Sequence, residues 1–203
     1  MNTTLNRILL ATYGSEGTEF AAHTAIRLAN SAECELHLVY AERLPGYPAH
    51  APISVRHLEW ELHEGAERAG LQRLWELDRS VRIASGTVAG AHLRVGEVAK
   101  EVVGLAEELE IDLIVVGTRG RSVIRRALMG SVSDSVVRHA RCPVVVARSQ
   151  EIDGKRRGDG RPGSPPWGTG KGEQRVEWHT MGYETRSSYA LKHRPRSAPV
   201  STA

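Results

Sequence analysis

Apolar residues in the first 148 positions follow two alternating rhythms, short runs and longer stretches at helical spacing. Arg7 to Thr12 (RILLAT) is a continuous run, Glu35 to Ala41 (ELHLVYA) alternates and then becomes continuous, and Val88–Val95, Leu113–Val116 and Val144–Ala147 are further runs. Continuous runs of this length predict strands covered on both faces. Between the first two lie Phe20, Ala21, Ala25, Ile26, Leu28 and Ala29 at helical spacing. Ser15 or Thr18 is placed to cap that helix, with Glu16 and Glu19 favourable in its first turn. Ser54 to about Leu77 predicts a long amphipathic helix through Val55, Leu58, Leu62, Ala66, Ala69, Leu74 and Leu77. Glu97–Glu110 predicts another, with Val98, Val102, Leu105, Ala106 and Leu109 on one face, and Val132–Ala140 a short fourth. Strand and helix alternate through five strands, so the expected fold is α/β: a single doubly wound, mostly parallel five-stranded sheet with helices on both faces.

The rhythm stops near residue 148. From Gln150 onward Gly, Pro, Ser, Arg and Lys dominate and no apolar face persists, so residues 1–148 read as one domain and 149–203 as a disordered basic tail. Trp167, Trp178, Tyr183 and Tyr189 interrupt that composition, and aromatics of this kind can anchor a short segment to an unknown protein partner.

Charge divides at the same place. Residues 1–150 hold 17 Lys+Arg against 18 Asp+Glu, and the remainder 10 against 6. The domain is therefore near neutral and poor in aromatics, which argues against a specific nucleic-acid surface. Cys34 and Cys142 are the only cysteines, with no CxxC spacing. No apolar stretch approaches the roughly 20 residues a membrane-spanning helix needs, and no signal-like segment precedes the first strand. The expectation is a cytoplasmic protein without a membrane role.

The candidate chemistry lies beyond the fourth strand. Gly117, Gly120, Gly130 and Ser131 form a G-x2-G-x9-G-S pattern that begins where Leu113–Val116 ends, so a glycine-rich loop leaves the carboxyl end of a strand and runs into a helix. In an α/β sheet this is where phosphate binds: backbone approaches the ligand closely and a helix amino terminus favours negative charge. Between Thr118 and Met129 stand Arg119, Arg121, Arg125 and Arg126 and no acid. Arg119 and Arg121 flank Gly120 and are the better placed to touch an anion; surface arginines at a helix entrance are otherwise solvated or paired. The plain alternative for the glycines is tight strand-to-helix packing. Ser131 either binds phosphate through its hydroxyl and amide or caps its helix as Ser131-x-x-Asp134.

Three sequences, Asp112 to Ser122 (DLIVVGTRGRS), Met129 to Val132 (MGSV) and Cys142 to Val146 (CPVVV), resemble the signature of the nucleotide-binding universal stress proteins in residue type and spacing. The resemblance covers about the first 148 residues and implies a Rossmann-like, adenine nucleotide alpha hydrolase-like fold that binds ATP or a related adenine nucleotide, with Mg2+ or Mn2+ held through the phosphates. It implies phosphate contacts at Gly117, Gly120, Gly130, Ser131 and Val132, and Thr118, Arg119 and Arg121 of the same loop are the further candidate nucleotide-binding residues. It also places the first β-α turn, Thr12, Tyr13 and Gly14, near the nucleoside and the Val39 backbone near the adenine. The family commonly has an aspartate before Gly-Ser in that turn, where this chain has Tyr13 before Gly14-Ser15. A phenol carries no charge and offers one hydroxyl on a larger ring, so Tyr13 stacks on the ligand, fills the pocket or turns away.

The functional expectation is a dimeric, ATP-binding regulatory protein of the stress response. The fifth strand, through Val144, Val145 and Val146, is apolar and at the expected sheet edge, where pairing with a second copy would cover its open ladder. One alternative is a protein-interaction module with a vestigial pocket. Another is a slow ATP hydrolase, for which the sequence offers no secure general base or metal ligand. Asp112 falls at the amino end of its strand and reads as structural. His63-Glu64 lacks the second His of HExxH and reads as part of a charged helix face, and Cys142 reads as a packed thiol.

Overall fold

The computed structural model describes residues 5–13, 18–43, 53–117, 130–148 and 183–187. The chain runs β1 (Arg7–Thr12), α1 (Thr18–Ala32), β2 (Glu35–Glu42), α2 (Ile53–Ile83), β3 (Val88–Val95), α3 (Val98–Glu108), β4 (Leu113–Gly117), α4 (Ser131–His139), β5 (Val144–Ala147) and β6 (Glu184–Ser187). All strand pairings are parallel, in the order β5-β4-β1-β2-β3-β6. The first five strands stand where the apolar runs predict them.

β1 shows why the runs are continuous. Ile8 and Leu10 point to one face with α1 and α2, Leu9 and Ala11 to the other with α3 and α4, and none is more than 1% exposed. A strand covered on both faces has no solvent side on which a polar residue would be favoured. At its amino end, Asp112 Oδ2 accepts the backbone N–H groups of Asn6 (2.8 Å) and Arg7 (2.9 Å), while Arg7 Nη1 donates to the Leu109 carbonyl at 3.0 Å. Asp112 thus fastens the start of β1 to that of β4, a structural role at the edge opposite Gly117.

Two expectations need correction. The long helix buries His63, Leu71, Leu74, Leu77, Asp78 and Val81, whereas Leu62 is 38% exposed and Ala69 also faces solvent. The buried stripe is rotated from the predicted one because α2 meets β3 at Gly70, where a Cβ would lie 2.6 Å from Leu93 Cδ1. His63 is accordingly a buried residue rather than part of a charged face.

The second correction concerns the tail. Glu184–Ser187, inside the segment read as disordered, forms β6 on β3 with the register His92↔Glu184 through Val95↔Ser187. ETRS has no apolar alternation to announce a strand; the free backbone groups along β3 supply the reason for one. Tyr183 just before it packs on the α1/α2 side, and its hydroxyl donates to Asp78 Oδ2 at 3.3 Å. Burial, and then Asp78, pushes the phenol up to about 12. The rest of the tail lies outside the described residues.

α1, α2 and α3 end alike. Glu33, Ser85 and Glu110 have φ of 53°, 62° and 51°, and the following N–H groups of Cys34, Gly86 and Ile111 close onto the carbonyls of Ala29, Val81 and Ala106 at 3.1, 2.9 and 2.8 Å. This is the left-handed helix stop that glycine usually makes, built here without glycine at the turning residue.

Ser85→Gly should therefore raise stability by roughly 0.5–1 kcal/mol in a denaturant titration, by removing the left-handed strain on a residue with a Cβ. Leu93→Ala, which empties the fully buried contact between β3 and α2, should lower it by about 2–5 kcal/mol in the same measurement.

Candidate functional site

In a parallel sheet each crossover helix returns antiparallel to the strands, so its amino terminus lies at their carboxyl edge. α4 obeys this. It leads into Pro143, whose carbonyl accepts the Ile114 N–H at 3.0 Å near the amino end of β4, which leaves Gly130 and Ser131 at the opposite edge. Gly117 ends β4 there, paired in register with Ala147, and Thr12 ends β1 beside Tyr40 of β2. The carboxyl edge thus brings together Thr12, Tyr13, Gly117, Gly130, Ser131 and Val132.

The amino terminus of α4 is capped by Gly130, in an extended conformation (φ −71°, ψ 153°), with no side-chain hydrogen bond to the cap. Ser131 is the first helical residue and is exposed. Asp134 bonds instead to Arg138, at 2.9 and 3.3 Å, so the Ser131-x-x-Asp134 capping box is not formed. The Gly130 carbonyl is occupied from within the helix by the Asp134 N–H at 2.9 Å and by the Ser133 hydroxyl at 3.0 Å. N–H groups of the first helical turn have no intrahelical acceptor, and with no serine or aspartate side chain on them they suit an anion. The conformation of Gly130 is one that any residue adopts. Its value to a ligand lies in the missing side chain, not in backbone freedom.

At the other end of the edge, Thr12 is buried and its hydroxyl donates to the Val39 carbonyl at 3.4 Å, tying the last turn of β1 to β2. Val39 is fully buried within the α3/α4 cluster. Tyr13 is half-buried and packs on that same cluster, which also contains Val132. Tyr13 thus packs along the body of the domain. Gly14, Thr118, Arg119, Gly120 and Arg121 lie outside the described residues.

Ser133 is the site-adjacent residue that the sequence pattern missed. It is fully buried and holds the first turn of α4 from inside. Its only signal is a polar residue between Val132 and Val136 on the inward face. No group of three or more His, Cys, Asp or Glu side chains among the described residues is arranged to hold a metal ion. Burial raises the thiols of Cys34 and Cys142, which suppresses their thiolates and agrees with packed cysteines. Among the described residues no helix is long and apolar enough to cross a membrane.

Comparison with known proteins agrees with this fold. The family model described as the universal stress protein family matches residues 4–148. A universal stress protein of Methanocaldococcus jannaschii is 31% identical over 146 residues, covering 70% of this chain and 81% of that protein. The solved universal stress protein UspA of Lactobacillus plantarum superposes with a TM-score of 0.62 at 24% identity, over 72% of this chain and all (100%) of that one. A further universal stress protein, solved in complex with cAMP, superposes with a TM-score of 0.52 at 24% identity, over 71% of this chain and 98% of its own. With the matched span ending where the domain's fifth strand ends, the chain belongs to the universal stress protein family.

Proposed function

We propose that this protein binds ATP or a related adenine nucleotide at the carboxyl edge of its sheet and acts as a regulatory stress-response protein. The observation that carries the reading is the amino terminus of α4, left without a side-chain cap and placed at the edge where Gly117 ends β4. The first-turn N–H groups of α4 would take the phosphates, with Gly130 permitting close approach. Gly120, Arg119, Arg121 and Thr118 complete the phosphate side by their resemblance to the family's motif. A fold neighbour in complex with cAMP supports the same ligand class. A divalent cation would be bound through the phosphates.

The nucleoside side is where this chain departs from its family. Tyr13 replaces a carboxylate and packs on the apolar cluster, so Thr12, Gly14 and the Val39 backbone remain to meet base and ribose. Affinity then rests on phosphate more than on the nucleoside. We also infer a homodimer through β5: Val144, Val145 and Val146 are half-buried, and among the described residues β5 pairs only with β4. A second copy would extend the ladder.

Mass spectrometry of small molecules released from freshly purified protein should find an adenine nucleotide; an empty pocket together with no calorimetric binding at millimolar ATP would overturn the reading. Gly130→Val should reduce nucleotide affinity at least about tenfold by placing a branched side chain against the phosphates, while the helix still forms. Asp112→Ala is expected to do the reverse. It should cost about 1–3 kcal/mol of stability by orphaning the Asn6 and Arg7 N–H groups, and leave affinity unchanged, because it sits at the opposite edge.

A further inference from the structure

β6 covers the β3 edge of the sheet and lies beyond the span 4–148 that the family model matches. Within that span β3 is an edge strand, and this chain adds a strand to it. The residues of β3 give a reason for a cover, and those of α2 show how it is held.

β3 has eight residues, VAGAHLRV, and Ala91 to Val95 are buried. Edge strands are commonly protected by lysine, proline, outward charges or short length, because a long open ladder pairs with any strand that reaches it. β3 has none of these devices. It contains no lysine or proline, and its one charged residue, the buried Arg94, turns to Glu108 of α3 at 2.8 Å. β6 has the opposite character. Glu184–Ser187 is four residues long, Glu184 and Arg186 are charged, and the Glu184 side chain is 74% exposed. It pairs in parallel along His92–Val95, within the buried part of β3.

The cover is anchored from α2. Tyr183 packs against the α1/α2 core cluster, and its hydroxyl donates to Asp78 Oδ2 at 3.3 Å. Asp78 is buried and is itself held by Arg82 Nε, 3.0 Å from both carboxylate oxygens. Tyr183 forms one wall of a groove of about 490 Å3 whose other lining residues, Trp75, Asp78, Arg79, Arg82 and Ile83, all belong to α2. The seat is thus a surface groove, so β6 can leave without opening the core.

We propose that β6 is an edge cap, and that the β3 edge beneath it is a latent self-association surface for a second copy of this chain. Every copy that loses its cap bares the same ladder. A two-fold axis sets two β3 strands antiparallel, so that each supplies the partner the other lacks. A cap carried on the same chain has a high effective concentration and prevails over that pairing. Uncapping has a larger consequence with the β5 pairing proposed above, because a dimer bare at both β3 edges adds further copies at each end. The C-terminal strand then sets the size at which assembly stops.

The test compares the full-length parent with Tyr183→Ala, which removes the anchor, and with the double variant Thr185→Pro, Arg186→Pro. Adjacent residues of a strand direct their N–H groups to opposite sides, so one of the two prolines removes a donor aimed at β3. Analytical ultracentrifugation from about 1 to about 200 µM spans the range in which unpaired strand edges associate. It is read together with amide hydrogen exchange of His92–Val95 and, as a fold control, of Leu9 and Leu10 in β1. The parent should keep one mass and a protected β3 throughout. Both variants should retain β1 protection, lose β3 protection about tenfold or more at the low end, and regain it at the high end as the mass at least doubles. Variants that bare the β3 amides yet keep the parent's mass at every concentration would overturn the proposal. So would growth in mass without renewed β3 protection, β3 amides still protected at the low end, or loss of β1 protection in both variants. The parent's own mass reports on pairing through β5, and no nucleotide enters the measurement, so those readings fail separately from this one.

Discussion

The structure depends on the burial of a parallel sheet on both faces. β1 sits inside it, between β4 and β2, and Ile8, Leu9 and Leu10 have no exposed surface. Each of β1 to β4 is then followed by a helix that crosses back over one face, and each such helix presents its amino terminus at the same edge. The edge that holds the candidate site is thus a geometric consequence of the core. Gly117, Gly130 and Tyr13 meet there because β1 and β4 are neighbours, although more than a hundred residues separate Tyr13 from Gly117 and Gly130 in the chain.

That edge has two ends of different chemistry. On the α4 side the groups offered are backbone amides and an exposed serine, whose direction is set by the helix and which tolerate neighbouring sequence change. On the β1 side the family's carboxylate is replaced by an aromatic ring that joins the α3/α4 cluster. A ligand held mainly at the first end would be recognised by its charge, with less discrimination of the base.

The two outer edges of the sheet are treated differently. β5 leaves three half-buried valines along an apolar ladder suited to a second copy. β3 is closed from within the chain by β6, through Tyr183 on one face of the sheet and Glu184 against a buried histidine on the other.

Five strands and four helices were legible because burial on both faces demands unbroken apolar runs and one-sided burial demands helical spacing, and both are local in sequence. The structural role of Asp112 and the packed thiol of Cys142 were legible for the same reason: each is tied to the end of a run. What sequence could not contain is any contact whose partner is distant. The stripe of α2 turned because Gly70 meets Leu93, Tyr13 found an apolar cluster, and ETRS became a strand because β3 had unpaired backbone groups. The amino-acid order alone determined the five apolar strands, the four helices and the edge at which Gly117 and Gly130 stand. Only the tertiary structure decided what those side chains face, because hydrogen bonds and van der Waals contacts act over a few ångströms of space, however far apart their partners lie in the chain.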